Sequence, residues 1–272
     1  MGYIPIIARV NALPPLPESV LELEKLYVAN DPDIDAIVKI IESDPSLTAD
    51  LLAKANAPLY SFSRQIISVM QAVTLFGSSK IRAMVLAATL NRSFDIDMSP
   101  YGIKTTTFSK ISMLQSELMF QWYMGIDVDK AKLLTPIAFL METGKILIAK
   151  DIIEQNRVEP FVAEILTYEK VEDVENIYIS MTTAQINALI FDHWNLNTLF
   201  IECMRYLDED SEVPEHIKSM VQALQIVRTA VNIKAQLSEE SMAAALKRAN
   251  NSPYDAKRFE KVMLRIREKL AQ

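Results

Sequence analysis

A chain of 272 residues, half of them apolar, 23% charged and with five glycines, can bury a sizeable core in one or two domains, and it is not disordered, collagenous or disulfide-stapled. A net charge of −7 and a pI near 5.1 work against broad nucleic-acid binding, which needs a basic face for the phosphates. One cysteine, Cys203, and two histidines, His193 and His216, exclude a thiolate metal cluster and a three-histidine zinc site.

The apolar run from Ile4 to Ala8 is too short for a signal-peptide core and is followed by Pro14, Pro15 and Pro17. No stretch reaches the roughly 18–20 apolar residues that cross a bilayer. A cytoplasmic protein without membrane contact is the expectation. Ile34, Ile37, Val38 and Ile41 then repeat at helical spacing. Asp44 followed by Pro45 reads as an N-cap and first helical residue, because proline lacks an amide that would go unpaired there anyway. Leu47, Leu51, Leu52 and Ala55 form the next stripe, which Asn56 could close in a left-handed conformation. Ser68 and Gln71 have capping-box spacing. Gly77 ends that short helix, and Ser78 or Ser79 would cap the one through Ile81, Val85, Leu86 and Leu90.

Pro100 and Gly102 interrupt the pattern between Ser93 and Thr107, which marks an internal boundary. Helical spacing resumes after it and ends with Phe259, Val262, Met263, Ile266 and Leu270. The sequence predicts an all-α chain of about a dozen helices, from fifteen helical segments of which some merge or fray, outlined at 17–29, 33–42, 45–56, 68–76, 79–92, 105–123, 129–140, 143–154, 158–168, 172–179, 182–193, 197–206, 215–235, 239–250 and 255–270. Residues 1–98 form an N-terminal bundle and 99–272 a second bundle with closing helices.

Common catalytic signatures are missing. The glycines are too scattered for a phosphate loop, and there is no G-x-S-x-G elbow. His193 ends a helix beside Trp194, and His216 follows Pro214 in an acidic stretch that reads as a loop (Asp208, Glu209, Asp210, Glu212, Glu215). Both read as structural or surface residues. Cys203, among Phe200, Ile201 and Met204, reads as a buried inert thiol, and the thirteen methionines as core filler. Lys247 to Gln272 holds eight basic and three acidic residues in an otherwise acidic chain. That segment is a solvated helix face or a docking tail for an acidic partner or subunit.

Three N-terminal segments are more specific: Leu13-Pro14-Pro15-Leu16-Pro17, Ile40 to Thr48 (Ile-Ile-Glu-Ser-Asp-Pro-Ser-Leu-Thr), and Leu51 to Tyr60. With Ile66 to Gly77, where Ile66, Ser68, Ala72, Val73, Leu75 and Gly77 fill an I-x-S-x-x-x-A-V-x-x-L-G pattern, they resemble the HDOD (HD-related output domain) family over about residues 8–210. The resemblance implies a bacterial, all-helical protein related to the metal-dependent HD phosphohydrolases. It also places their metal-ligand positions. Ser109-Lys110-Ile111-Ser112 resembles W-x-H-S, so Ile111 stands for a histidine. Met141-Glu142-Thr143-Gly144-Lys145 resembles H-D-I-G-K, with Met141 and Glu142 for the His-Asp pair. Thr183 takes the histidine of H-A-x-x-G-A. After Trp194-Asn195-Leu196-Asn197, Tyr206-Leu207-Asp208 takes the place of Y-H-H.

The resemblance therefore implies an HD-like bundle whose vestigial site is Ile111, Met141, Glu142, Thr183, Leu207 and Asp208, with these residues converging. Apolar ligand replacements hold no transition metal, and Glu142 with Asp208 alone makes at best a weak hydrated Mg²⁺ or Ca²⁺ site. The expectation is a signalling or regulatory module without cofactor or enzymatic activity, acting through a protein partner and not through nucleic acid. The alternative is a small-molecule or nucleotide receptor in which Glu142, Lys145, Thr183 and Asp208 bind the ligand.

Overall fold

The computed structural model describes residues 3–28, 32–60, 62, 64–93, 96–208, 212–250 and 255–270. Among them the chain is helical throughout, with a single isolated β-bridge between Val231 and Gln236. The helices are α1 Tyr3–Asn11, α2 Glu18–Val28, α3 Ile34–Glu42, α4 Pro45–Ala55, α5 Val69–Phe76, α6 Ser78–Ser93, α7 Thr105–Tyr123, α8 Val128–Leu140 and α9 Gly144–Glu154. They continue as α10 Val158–Thr167, α11 Val171–Ile179, α12 Thr183–His193, α13 Thr198–Arg205, α14 Glu215–Ala230, α15 Glu239–Asn250 and α16 Ala256–Leu270.

Local chemistry sets the boundaries. Asp44 caps α4 by accepting from the Leu47 amide at 2.9 Å, with Pro45 as the first helical residue. Ser68 caps α5 by accepting from the Gln71 amide, but Gln71 Oε1 accepts in return from the Ile67 amide at 3.0 Å, so the box is not closed on the cap. Gly77 has a φ of 75° and also starts α6, since its carbonyl accepts from the Ile81 amide at 3.2 Å. Ser78 is therefore already helical and not a cap.

Several expectations are corrected. The run from Ile4 to Ala8 lies inside α1, where Ile6 and Val10 share a buried face. Asn56 is not left-handed (φ −92°). Its side chain instead pairs with the Ile66 backbone, accepting from the amide at 2.8 Å and donating to the carbonyl at 2.9 Å. Phe76, not Leu75, fills the leucine slot before Gly77: Phe76 is buried and Leu75 exposed. The helix expected to run to residue 235 stops at Ala230, because Asn232 Oδ1 accepts from the Lys234 and Ala235 amides and turns the chain. His216 and Glu215 lie in the first turn of α14, not in a loop. Of the acidic run, Glu209 and Asp210 fall outside the described residues.

The buried core is one continuous cluster from Ile6 to Ile266, shared across the boundary at 93–107. α8 packs on both α6 and α7. Within residues 1–98, Arg82 on α6 donates through Nε to Glu24 of α2 at 2.8 Å. Its guanidinium lies over the rings of Tyr27 (5.0 Å) and Phe200 of α13 (4.7 Å). The proline-rich segment before α2 is held from α12, where Trp194 Nε1 donates to the Pro14 carbonyl at 2.9 Å and His193 Nε2 lies 3.1 Å from the Leu13 carbonyl. Arg9 of α1 pairs with Asp151 at 3.3 Å and with Glu154 on α9.

Cys203 is buried in α13, and burial, then the nearby Glu202 charge, pushes its thiol up to about 12. The thiolate is the reactive form. An aromatic disulfide reagent should therefore leave the native protein almost unmodified over minutes and titrate one thiol per chain in denaturant.

Candidate functional site

The predicted site residues come from the middle of α7, the α8–α9 junction, the start of α12 and the end of α13. Ile111, Met141, Glu142, Thr183 and Leu207 are all buried, while Asp208 is partly exposed. Three apolar side chains, Ile111, Met141 and Leu207, are thus part of the core. Each adds about 1.5–3 kcal/mol of burial.

The polar members belong to two adjoining clusters. In the inner one, Lys145 Nζ from the first turn of α9 lies 2.9 Å from Glu142 Oε2, 3.0 Å from Glu175 Oε1 and 3.1 Å from Thr183 Oγ1. Glu175, on α11, also accepts from Tyr101 at 3.0 Å and from the Thr183 amide and hydroxyl at 2.7 Å. Gln115, one turn after Ile111 on α7, donates to Glu142 Oε1 at 3.0 Å and to the Val231 carbonyl at 2.9 Å. Asn187 ties the α8–α9 junction to α12, donating to the Met141 carbonyl at 2.6 Å and accepting from the Gly144 amide at 2.7 Å. Close approach requires glycine here. A Cβ on Gly144 would lie 2.5 Å from the Thr183 carbonyl oxygen.

In the outer cluster, Asp208 accepts from Arg228 of α14 at 2.6 Å and from the Thr182 hydroxyl. Arg228 also lies 3.5 Å from Glu172, one turn before Glu175. The structure therefore brings Glu142, Lys145 and Thr183 into direct contact and gives Asp208 to a neighbouring pair.

Electrostatics follow from burial and pairing. Burial works against the Lys145 charge, but Glu142 and Glu175 more than offset it and hold the ammonium above the ordinary lysine range. Burial raises Glu175 against the pull of Lys145. Glu172 is only partly buried; desolvation works to raise it, yet Arg228 and Lys145 keep it below the ordinary carboxylate range. Tyr101 is driven well up by burial and then by Glu175, so it stays a donor.

This donor set does not fit a transition metal. It contains no imidazole: His193 serves the Leu13 carbonyl, and His216 pairs with Glu202 at 2.9 Å. The ammonium of Lys145 already stands between the two carboxylates that would face a cation. Sequence reasoning missed Glu175, Gln115, Tyr101, Asn187, Glu172 and Arg228. The signal was a polar residue on an apolar stripe: Gln115 among Ile111, Leu114, Leu118 and Met119, and Glu175 among Val171, Val174, Tyr178 and Ile179.

An all-helical protein with a buried internal ion-pair cluster is the class that fold and site define. The HDOD domain family matches residues 13–209, and the chain belongs to that family. Among solved structures, a virulence factor from Campylobacter jejuni subsp. jejuni is 26% identical with a TM-score of 0.61, over 98% of this chain and 96% of that one. A candidate phosphohydrolase from Shewanella amazonensis SB2B is 15% identical with a TM-score of 0.68, over 98% and 96%. A candidate signal transduction protein from Marinobacter aquaeolei VT8 is 18% identical with a TM-score of 0.69, over 96% of this chain and 59% of that one. A search of curated proteins found no match. No helix among the described residues is long and apolar enough to cross a membrane.

Proposed function

We propose that this HDOD protein is a non-enzymatic signalling module of the bacterial cytoplasm that regulates a protein partner by direct contact. The observation that carries the reading is the position of Lys145. With its ammonium locked to Glu142, Glu175 and Thr183, no activated hydroxide forms there to attack a phosphoester. The fold without that chemistry has a surface to offer. The N-terminal bundle exposes Phe62, Ile67, Met70 and Leu75 around α5, an apolar surface of the kind that marks protein contacts. The signal-transduction naming of the Marinobacter aquaeolei protein supports the same direction.

Two measurements test it. Elemental analysis of protein purified without chelator should find no stoichiometric Fe, Mn, Ni or Zn; about one such metal per chain would restore the phosphohydrolase reading. Affinity capture from the native cell should return a protein partner, and hydrogen exchange on that complex should show protection in the N-terminal bundle or the 93–107 junction. Protection centred on Glu142, produced by a nucleotide and with no protein partner, would instead establish a receptor. A ligand there must first displace the Lys145 bonds.

A further inference from the structure

The cationic C-terminal segment has a geometry that the site does not use. On α16, Lys257, Lys261, Arg265 and Lys269 recur every four residues and form one exposed face opposite the buried Phe259, Val262, Met263 and Ile266. Arg265 bonds to Gln121, whereas among the described residues no carboxylate lies within ion-pair distance of Lys257, Lys261 or Lys269. Leu264, 44% exposed, sits within the stripe.

The matching surface is on the same chain. α2 exposes Glu18 and Glu22 with Leu21, and Val28 at its end is 68% exposed. α3, packed against α2, opens with the exposed Asp33, Ile34 and Asp35. One face is basic with an apolar anchor; the other is acidic with three, relieved by Lys25 of α2 and Lys39 of α3.

We infer that these faces join two copies of this chain, α16 of one copy docking on α2–α3 of the next. The inference goes beyond the proposed function and does not depend on it. A second copy is the occupant that the charges select. The stripe carries Glu268 and an exposed leucine, which suits a protein surface better than a run of phosphates, and a lone leucine is too little apolar surface for a bilayer. Charge complementarity of this kind steers and registers an interface.

Sedimentation velocity on the full chain tests it. At low salt the mass should exceed one chain and rise with concentration. At about 1 M salt, where screening extends only ~3 Å, it should return to one chain. Lys257→Glu/Lys261→Glu/Lys269→Glu and Glu22→Lys/Asp35→Lys should each be monomeric with unchanged helicity, since all five positions are exposed. An equimolar mixture of the two should associate again, because each reversed face then meets an oppositely charged one. Any of three results overturns the inference: a wild-type monomer at every concentration, association that survives either set of reversals, or a mixture that stays monomeric. Capture of the wild-type monomer by DNA or by anionic vesicles would give α16 a different role.

Discussion

Lys145→Ala should cost about 3–5 kcal/mol of folding free energy at neutral pH, read from urea or guanidinium unfolding curves. The change leaves Glu142 and Glu175 buried with like charge and no cation between them, and it strips Thr183 of a donor. The deficit should shrink in acid, where Glu175, already raised by burial and in the variant without its cation, takes up a proton. Lys145→Met combined with Glu142→Gln and Glu175→Gln should recover much of the loss, because the uncompensated charge goes with the lysine. In the wild type, the folded lysine keeps its proton above its ordinary value of 10.5. Its stabilisation is therefore complete below that pH and is lost as pH rises through the folded value. The gap between wild type and Lys145→Met should narrow on that alkaline side. An Ala variant as stable as wild type at pH 7 would remove the ammonium from its assigned role.

Gly144→Ala should cost about 3 kcal/mol, the upper end of typical overpacking. The added methyl meets a main-chain carbonyl, Thr183 O, at 2.5 Å, and Ile186 Cβ at 3.1 Å. Neither can rotate away, so α9 and α12 must part and the Asn187 bonds to Gly144 and Met141 must lengthen. Gly125→Ala is the control. The three atoms nearest its methyl all belong to the guanidinium end of Arg258, which can swing aside at the loss of its bond to the Trp122 carbonyl. The thermal midpoint should fall markedly in the first variant and only slightly in the second.

These two sites show what could be read from residue order. Apolar periodicity and cap chemistry placed the helices, because a stripe such as Ile34–Ile41 and a cap such as Asp44 act within a turn or two of the chain. The expected vestigial positions came from family resemblance alone, and of them Ile111, Met141, Glu142, Thr183 and Leu207 are buried. What escaped was long-range pairing. Glu175 meets Lys145 across 30 residues, and Gln115 meets Val231 across 116. No local pattern separates a buried carboxylate with a cation waiting for it from one facing water. Asn56 was legible as a helix end but the partner of its side chain was not, and the turn at Asn232 was hidden inside an expected helix.

The docking of the N-terminus on Trp194 bears on how the chain is made. Leu13 and Pro14 find their side-chain partners 180 residues downstream. At roughly 5–20 residues per second of synthesis, the start of the chain leaves the ribosome some 10–35 seconds before α12 does. Until α12 emerges, Ile6 and Val10 lack the α12 side of their groove and stay open to chaperones and proteases. Ribosome-bound chains halted before residue 180 should be clipped within α1, and chains long enough to release α12 should resist. Vectorial synthesis thus leaves the first helix among the last to be secured.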